Sequence, residues 1–122
     1  MATYRQKDKA PKIYVAEDSG KVCEFTLDTL KDQSLTLIHR FPNESALCLS
    51  IDRLNQAGQY LTIASNSRVI VMKNENGSFG EVHRIEKTSD NVSCCKTVYA
   101  TESKQVMVIY ATYNGRLAYT LI

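Results

Sequence analysis

The residues best able to do chemistry in this 122-residue chain are two histidines, His39 and His83, and four cysteines, Cys23, Cys48, Cys94 and Cys95. Histidine titrates near neutrality and so can serve as a general base or, with cysteine, as a metal ligand. The spacing supports neither use. A zinc set is announced by C-x2-C pairs or closely spaced histidines, and the chain has neither. Cys94 and Cys95 are adjacent, so on a strand they point to opposite faces. The cysteines read as small, buried apolar residues kept reduced. There is no G-x-S-x-G, H-E-x-x-H or phosphate-binding loop, and the one adjacent carboxylate pair, Glu17-Asp18, sits in a turn sequence. The sequence therefore nominates no catalytic residue, no metal ligand and no cofactor.

Bulk composition narrows the class further. Hydrophobic residues make up 43% and charged residues 23%, the balance of an ordinary folded domain. Net charge is +2, from 15 basic and 13 acidic residues, without the concentrated positive charge that nucleic acids or membrane surfaces require. Arg5, Lys7, Lys9 and Lys12 form the nearest approach to a basic cluster, but Asp8 interrupts it. Residues 1–11 are expected to be a flexible N-terminal tail. No apolar run reaches the roughly 18 residues of a membrane span, and the N-terminus lacks a signal-like apolar core. The expected location is cytoplasmic or nuclear. Three Asn-x-Ser triplets, at Asn43, Asn76 and Asn91, then read as turn chemistry.

The elements that must position these residues are strands. Apolar residues come in short runs rich in Val, Ile, Tyr, Leu and Thr, broken by Asn, Ser, Gly and Asp. The pattern predicts ten strands: Lys12–Glu17, Lys21–Leu27, Ser34–Phe41, Ala46–Asp52, Tyr60–Ser65, Arg68–Lys73, Gly80–Lys87, Val92–Ala100, Gln105–Ala111 and Arg116–Leu121. Asp18-Ser19-Gly20, Asn76-Gly77 and Asn114-Gly115 carry hairpin chemistry, because Gly and Asn accept positive φ. Connections this short make the chain all-β and antiparallel.

The strands also repeat. IYVAEDSGKVCEF (Ile13–Phe25), LTIASNSRVIVM (Leu61–Met72) and VIYATYNGRLAY (Val108–Tyr119) each run from an apolar strand through an alanine, a polar turn and a basic residue into a second apolar strand. The alanines Ala16, Ala64 and Ala111 are 48 and 47 residues apart, and the basic residues are Lys21, Arg68 and Arg116. Leu37–Phe41 matches Glu81–Ile85, and Ala46-Leu47-Cys48 matches Val92-Ser93-Cys94. A period near 45 residues with four strands per unit is the signature of a propeller blade, whose faces are buried only by stacking on neighbours.

On these residues the chain resembles the WD40 family of β-propellers. It lacks the Trp-Asp ending and the Gly-His opening of that family's repeats, so the hydrogen-bond network built on them does not carry over. The resemblance implies four-stranded antiparallel blades: an incomplete one at 12–41, a full one at 46–87 and an incomplete one at 92–122. Ten strands cannot close a ring that needs about sixteen. The expectation is an incomplete ring, completed by further chain or another subunit, with exposed edges at Lys12–Glu17 and Arg116–Leu121. His39 and His83 fall at equivalent places on outermost strands, too far apart to act together. The four tyrosines at 99, 110, 113 and 119 read as packing residues, except Tyr113 in a turn.

The resemblance also implies a binding rim made from the turns at one end of the sheets. The candidate partner contacts are Glu17, Asp18, Asn43, Glu44, Asn66, Ser67, Asp90, Tyr113 and Asn114. The expected function is a non-enzymatic scaffold for protein partners. A second resemblance supplies the alternative. SALCLSIDRLN (Ser45–Asn55) is similar to one blade of the WD-repeat methylesterases of diphthamide synthesis, with Arg53 where that family would have Trp. It implies methyl-ester hydrolysis on elongation factor 2 and carries over no catalytic residue.

Overall fold

The computed structural model describes residues 2–4, 11–26, 34–54 and 57–122. Among these residues there is no helix, and eleven strands follow one another: β1 (Ala2–Tyr4), β2 (Lys12–Ala16), β3 (Lys21–Thr26), β4 (Ser34–Arg40), β5 (Ala46–Leu54), β6 (Gly58–Ser65), β7 (Val69–Glu75), β8 (Ser78–Ile85), β9 (Val92–Ala100), β10 (Gln105–Thr112) and β11 (Leu117–Leu121). They build three antiparallel meanders in chain order: a first sheet β1-β2-β3-β4, a middle sheet β5-β6-β7-β8 and a last sheet β9-β10-β11. Of the described residues, none lies in a helix long and apolar enough to cross a membrane, which says nothing of strand-built spans.

The first sheet differs from expectation at its start. Ala2–Tyr4 lies within the stretch expected to be a flexible tail, yet it pairs antiparallel with Lys12–Tyr14. The first sheet therefore has four strands, and β2 is an interior strand rather than an exposed edge. The physical reason is the edge itself: β2 offers a row of backbone N–H and C=O groups that a short preceding segment can satisfy. Residues 5–10 and Leu27 lie outside the described residues.

Turn chemistry sets the geometry at one end of all three sheets. In the first sheet Gly20 N donates to Glu17 O at 2.9 Å and Glu17 N to Lys21 O at 2.9 Å. The last sheet repeats this with Gly115 N to Thr112 O at 3.0 Å and Thr112 N to Arg116 O at 2.9 Å. Each is a three-residue loop that ends on a glycine with positive φ, 91° at Gly20 and 85° at Gly115. Asn114 does not need positive φ here. The middle sheet closes one residue sooner, with Ser65 N donating to Arg68 O at 2.9 Å. There the Ser65 hydroxyl accepts from Arg68 N at 3.1 Å, which takes the place of a glycine. That missing residue explains why the alanines and the basic residues of the repeat are not equally spaced.

Both faces of the middle sheet are covered, so β6 and the start of β7 are buried almost without interruption. Alternate side chains go to opposite neighbours. Leu61, Ile63, Ile70 and Met72 pack with Tyr14, Val22 and Phe41 of the first sheet and its connection. Tyr60, Ala64, Val69 and Val71 pack with Val92, Cys95 and Val108 of the last sheet. The core is thus two parallel seams rather than one central cluster.

Candidate functional site

The turns β2–β3, β6–β7 and β10–β11 and the connections β4–β5 and β8–β9 meet at one end of the stack. Backbone bonds stitch them together. Phe41 N donates to Gly20 O at 2.8 Å, Ala46 N to Glu17 O at 3.0 Å, Thr88 N to Ser67 O at 2.8 Å and Tyr113 N to Asn91 O at 2.9 Å. Gly20 permits the first of these contacts. A Cβ there would fall 2.5 Å from the Glu44 carbonyl oxygen and closer still to that of Phe41. Asn43 turns the β4–β5 connection with a φ of 59°, a conformation asparagine tolerates better than most residues.

Side chains complete the ribbon, and they divide the nine candidate contacts into two groups. Glu44 accepts hydrogen bonds from the Ser67 hydroxyl and, at 3.2 Å, from Arg68 Nη1. Asn66 Oδ1 accepts from Ser45 N at 2.9 Å, and Asn66 Nδ2 donates to Asn91 Oδ1 at 3.4 Å. Asn114 accepts from the Thr112 hydroxyl at 2.5 Å and donates to Ser89 at 3.4 Å. Asp90 Oδ1 accepts from Asn91 N at 2.8 Å, and Glu17 accepts weakly from the Ser19 hydroxyl at 3.4 Å. Glu17, whose carbonyl also accepts from Ala46 N and Gly20 N, together with Glu44, Asn66, Ser67, Asp90 and Asn114, is thus engaged in holding the loops. Asp18, Asn43 and Tyr113 are presented outward, Tyr113 with 70% of its surface exposed. All nine lie at the same end.

Arg68 is the charged residue bridging two of these connections that the candidate set omits. It joins the β4–β5 and β8–β9 connections by pairing with Glu44 at 3.2 Å and with Glu86 at 3.5 Å. The Nε–Glu86 contact is an ion pair without hydrogen-bond geometry. The signal in the sequence was the recurrent basic residue after each turn, Lys21, Arg68 and Arg116.

The titratable candidates lie elsewhere. His39 stacks edge-on against Phe41, with ring centres 4.8 Å apart. Burial, and then the Arg84 guanidinium, lower its pKa below the ordinary value, with Glu81 opposing. Cys48 and Cys95 bring their sulfurs to 3.5 Å across the seam between middle and last sheets. The neighbouring Cys95 thiol lowers the pKa of Cys48 against the effect of burial, and Cys95 itself is raised well above the ordinary thiol value. Cys23 is buried and raised, chiefly by that burial and next by Glu17. Cys94 departs from the expected burial and is exposed, because its neighbour Cys95 takes the inward face. Among the described residues, no group of three or more His, Cys, Asp or Glu is placed to hold a metal.

No protein-family model matches the chain. No curated protein matches it in sequence.

Proposed function

We propose that the three sheets are consecutive blades of a WD40-like β-propeller and that the pinned rim is a non-catalytic platform for a protein partner. The stacking of two four-stranded meanders and a three-stranded one through equivalent faces supports the first part. The observation that carries the second is the division within the rim: six candidate residues hold the loops rigid, while Asp18, Asn43 and Tyr113 project from them. Rigid loops carrying an exposed aromatic lose little entropy on association, which favours recognition. Further sheets, on this chain or another, would complete the ring.

The test places a photo-crosslinking residue at Tyr113 and, separately, at Glu102 in the exposed β9–β10 turn. A specific adduct with a protein from cell extract is expected from position 113, and its loss on changing Asp18 and Asn43 to alanine. Equal labelling from both positions would overturn the rim assignment. The methylesterase alternative rests on the Ser45–Asn55 resemblance alone, and no contact at the rim favours it.

A further inference from the structure

Strand register divides each sheet into two faces, and the repeat makes the faces comparable. Ala16 opposes Val22, Ala64 opposes Val69 and Ala111 opposes Leu117. The first two pairs lie on faces that pack on the next sheet, Ala16–Val22 against Leu61 and Ile63, Ala64–Val69 against Val92 and Val108. The third pair lies on the outer face of the last sheet, together with Met107, Ile109, Tyr119 and Leu121. There Leu117 is 75% exposed and Tyr119 69%.

The opposite face shows the same relation in reverse. In the middle sheet Ile63 opposes Ile70 and Leu61 opposes Met72, and the first sheet covers them. The equivalent pairs of the first sheet are Val15 with Cys23, where Cys23 is buried, and the half-buried Ile13 with Phe25, extended across β4 by Leu37 and Leu35. Leu35 is 61% exposed and Leu37 55%. Contiguous apolar surface of this kind marks an interface.

We infer that two copies of this chain associate head to tail, the Ala111–Leu117–Tyr119 face of one against the Ile13–Phe25–Leu35 face of the other. The argument is continuity with contacts already made. This chain twice packs a face of the first kind on a face of the second kind, and among the described residues one example of each packs on no other sheet. A self-complementary contact of like faces would pair surfaces that never meet within the molecule. A head-to-tail contact closes when its rotation allows. Closure of such copies into a ring rests on the propeller reading, whereas the contact does not.

Sedimentation and light scattering of the whole chain test it. The expected species has twice the 13.7 kDa mass of one chain and dissociates on dilution. Leu117→Asp with Tyr119→Asp spoils one face, and Leu35→Asp with Leu37→Asp spoils the other. All four positions are exposed, so circular dichroism should match the parent and thermal unfolding should match the parent diluted to the monomer, and Ser at the same positions serves as the milder variant. Each pair is expected to weaken association by about 100-fold or more, because a carboxylate would be desolvated in the contact. Mixing the two variants should restore a dimer through the one contact whose two faces are both intact. A parent that is monomeric at every concentration, a dimer indifferent to both pairs, or no recovery on mixing would overturn the inference. A monomer would leave the rim proposal standing, since the rim lies at the strand ends and not on these faces.

Discussion

The two seams between the sheets come from the same repeat and differ in kind. The first is mainly apolar away from the backbone bond of Ala46 N to Glu17 O at the rim: Tyr14, Val22 and Phe41 meet Leu61, Ile63, Ile70 and Met72. The second interleaves apolar residues with directional pairs. Thr62 and Thr97 share a hydroxyl–hydroxyl bond, both fully buried, and Cys48 faces Cys95 at 3.5 Å. Asp52 accepts from Lys96 Nζ at 2.8 Å and from Thr97 N at 3.3 Å. Apolar burial is non-directional and scales with area, so it holds two sheets together without fixing how one slides on the other. Hydrogen bonds between buried groups fix register, since a slip would leave each partner unsatisfied. The first seam thus contributes mainly cohesion, and the second mainly alignment.

The change expected to have the largest effect strikes the first seam where it meets the rim. Gly20→Ala forces an alanine into positive φ and drives its Cβ into two backbone carbonyls of the β4–β5 connection. Backbone atoms cannot swing aside as a side chain can, so the loss should be about 4 kcal/mol. Gly115→Ala is the control, because its φ is also positive but nothing lies within 4 Å of the added Cβ. It should cost only about 1 kcal/mol. Urea unfolding of both variants measures the difference. Equal losses would mean that the Gly20 contact does not lock the first seam.

Next in size is Ile63→Ala, which opens a cavity in the apolar seam. Ile63 is fully buried between sheets, and such truncations cost about 2–5 kcal/mol. Its counterpart in the second seam is Thr62→Val, which keeps the shape and removes a hydroxyl. Thr97 is then left with an unsatisfied buried group, at a cost of about 1–3 kcal/mol. Thr62→Val combined with Thr97→Val removes both partners and should recover most of that loss. A double-mutant cycle by urea denaturation reads the coupling directly. Additive losses in the cycle would show that the hydroxyl pair does not set the alignment of the second seam.

Much of this arrangement was legible in the residues. The run Tyr60–Ala64, apolar but for Thr62, belongs to a strand covered on both faces, and the turn signals at Gly20, Asn76-Gly77 and Gly115 all carry positive φ. The loop set of the rim followed from the repeat, because successive turns of a meander return to the same end. The engagement of Glu44 was not legible, since its partners Ser67 and Arg68 lie in another sheet and no local pattern links them. Ala2–Tyr4 was missed for a related reason. Three residues beside a charged stretch carry almost no intrinsic signal, and the strand exists through the edge it pairs with. Tyr119 was expected to pack, and its exposure became intelligible only once strand register placed it on the outer face of the last sheet.

The smallest expected effect also separates the seams. His39 lies at the border of the first seam, stacked on Phe41, with Arg84 and Glu81 of β8 acting on its charge. Its pKa in the folded chain lies below the ordinary value near 6.5, because burial and Arg84 disfavour the imidazolium. The unfolded chain therefore binds the proton more readily than the folded one. Stability from this group is fully present above pH 6.5 and declines as pH falls from there through the lower folded value. His39→Gln should flatten that part of the stability–pH profile, measured by urea midpoints between neutral and mildly acidic pH. The Thr62→Val/Thr97→Val chain should keep the parental slope, because its changes lie in the other seam. A slope that persists without His39 would move the acid sensitivity away from the first seam and remove this distinction between the two.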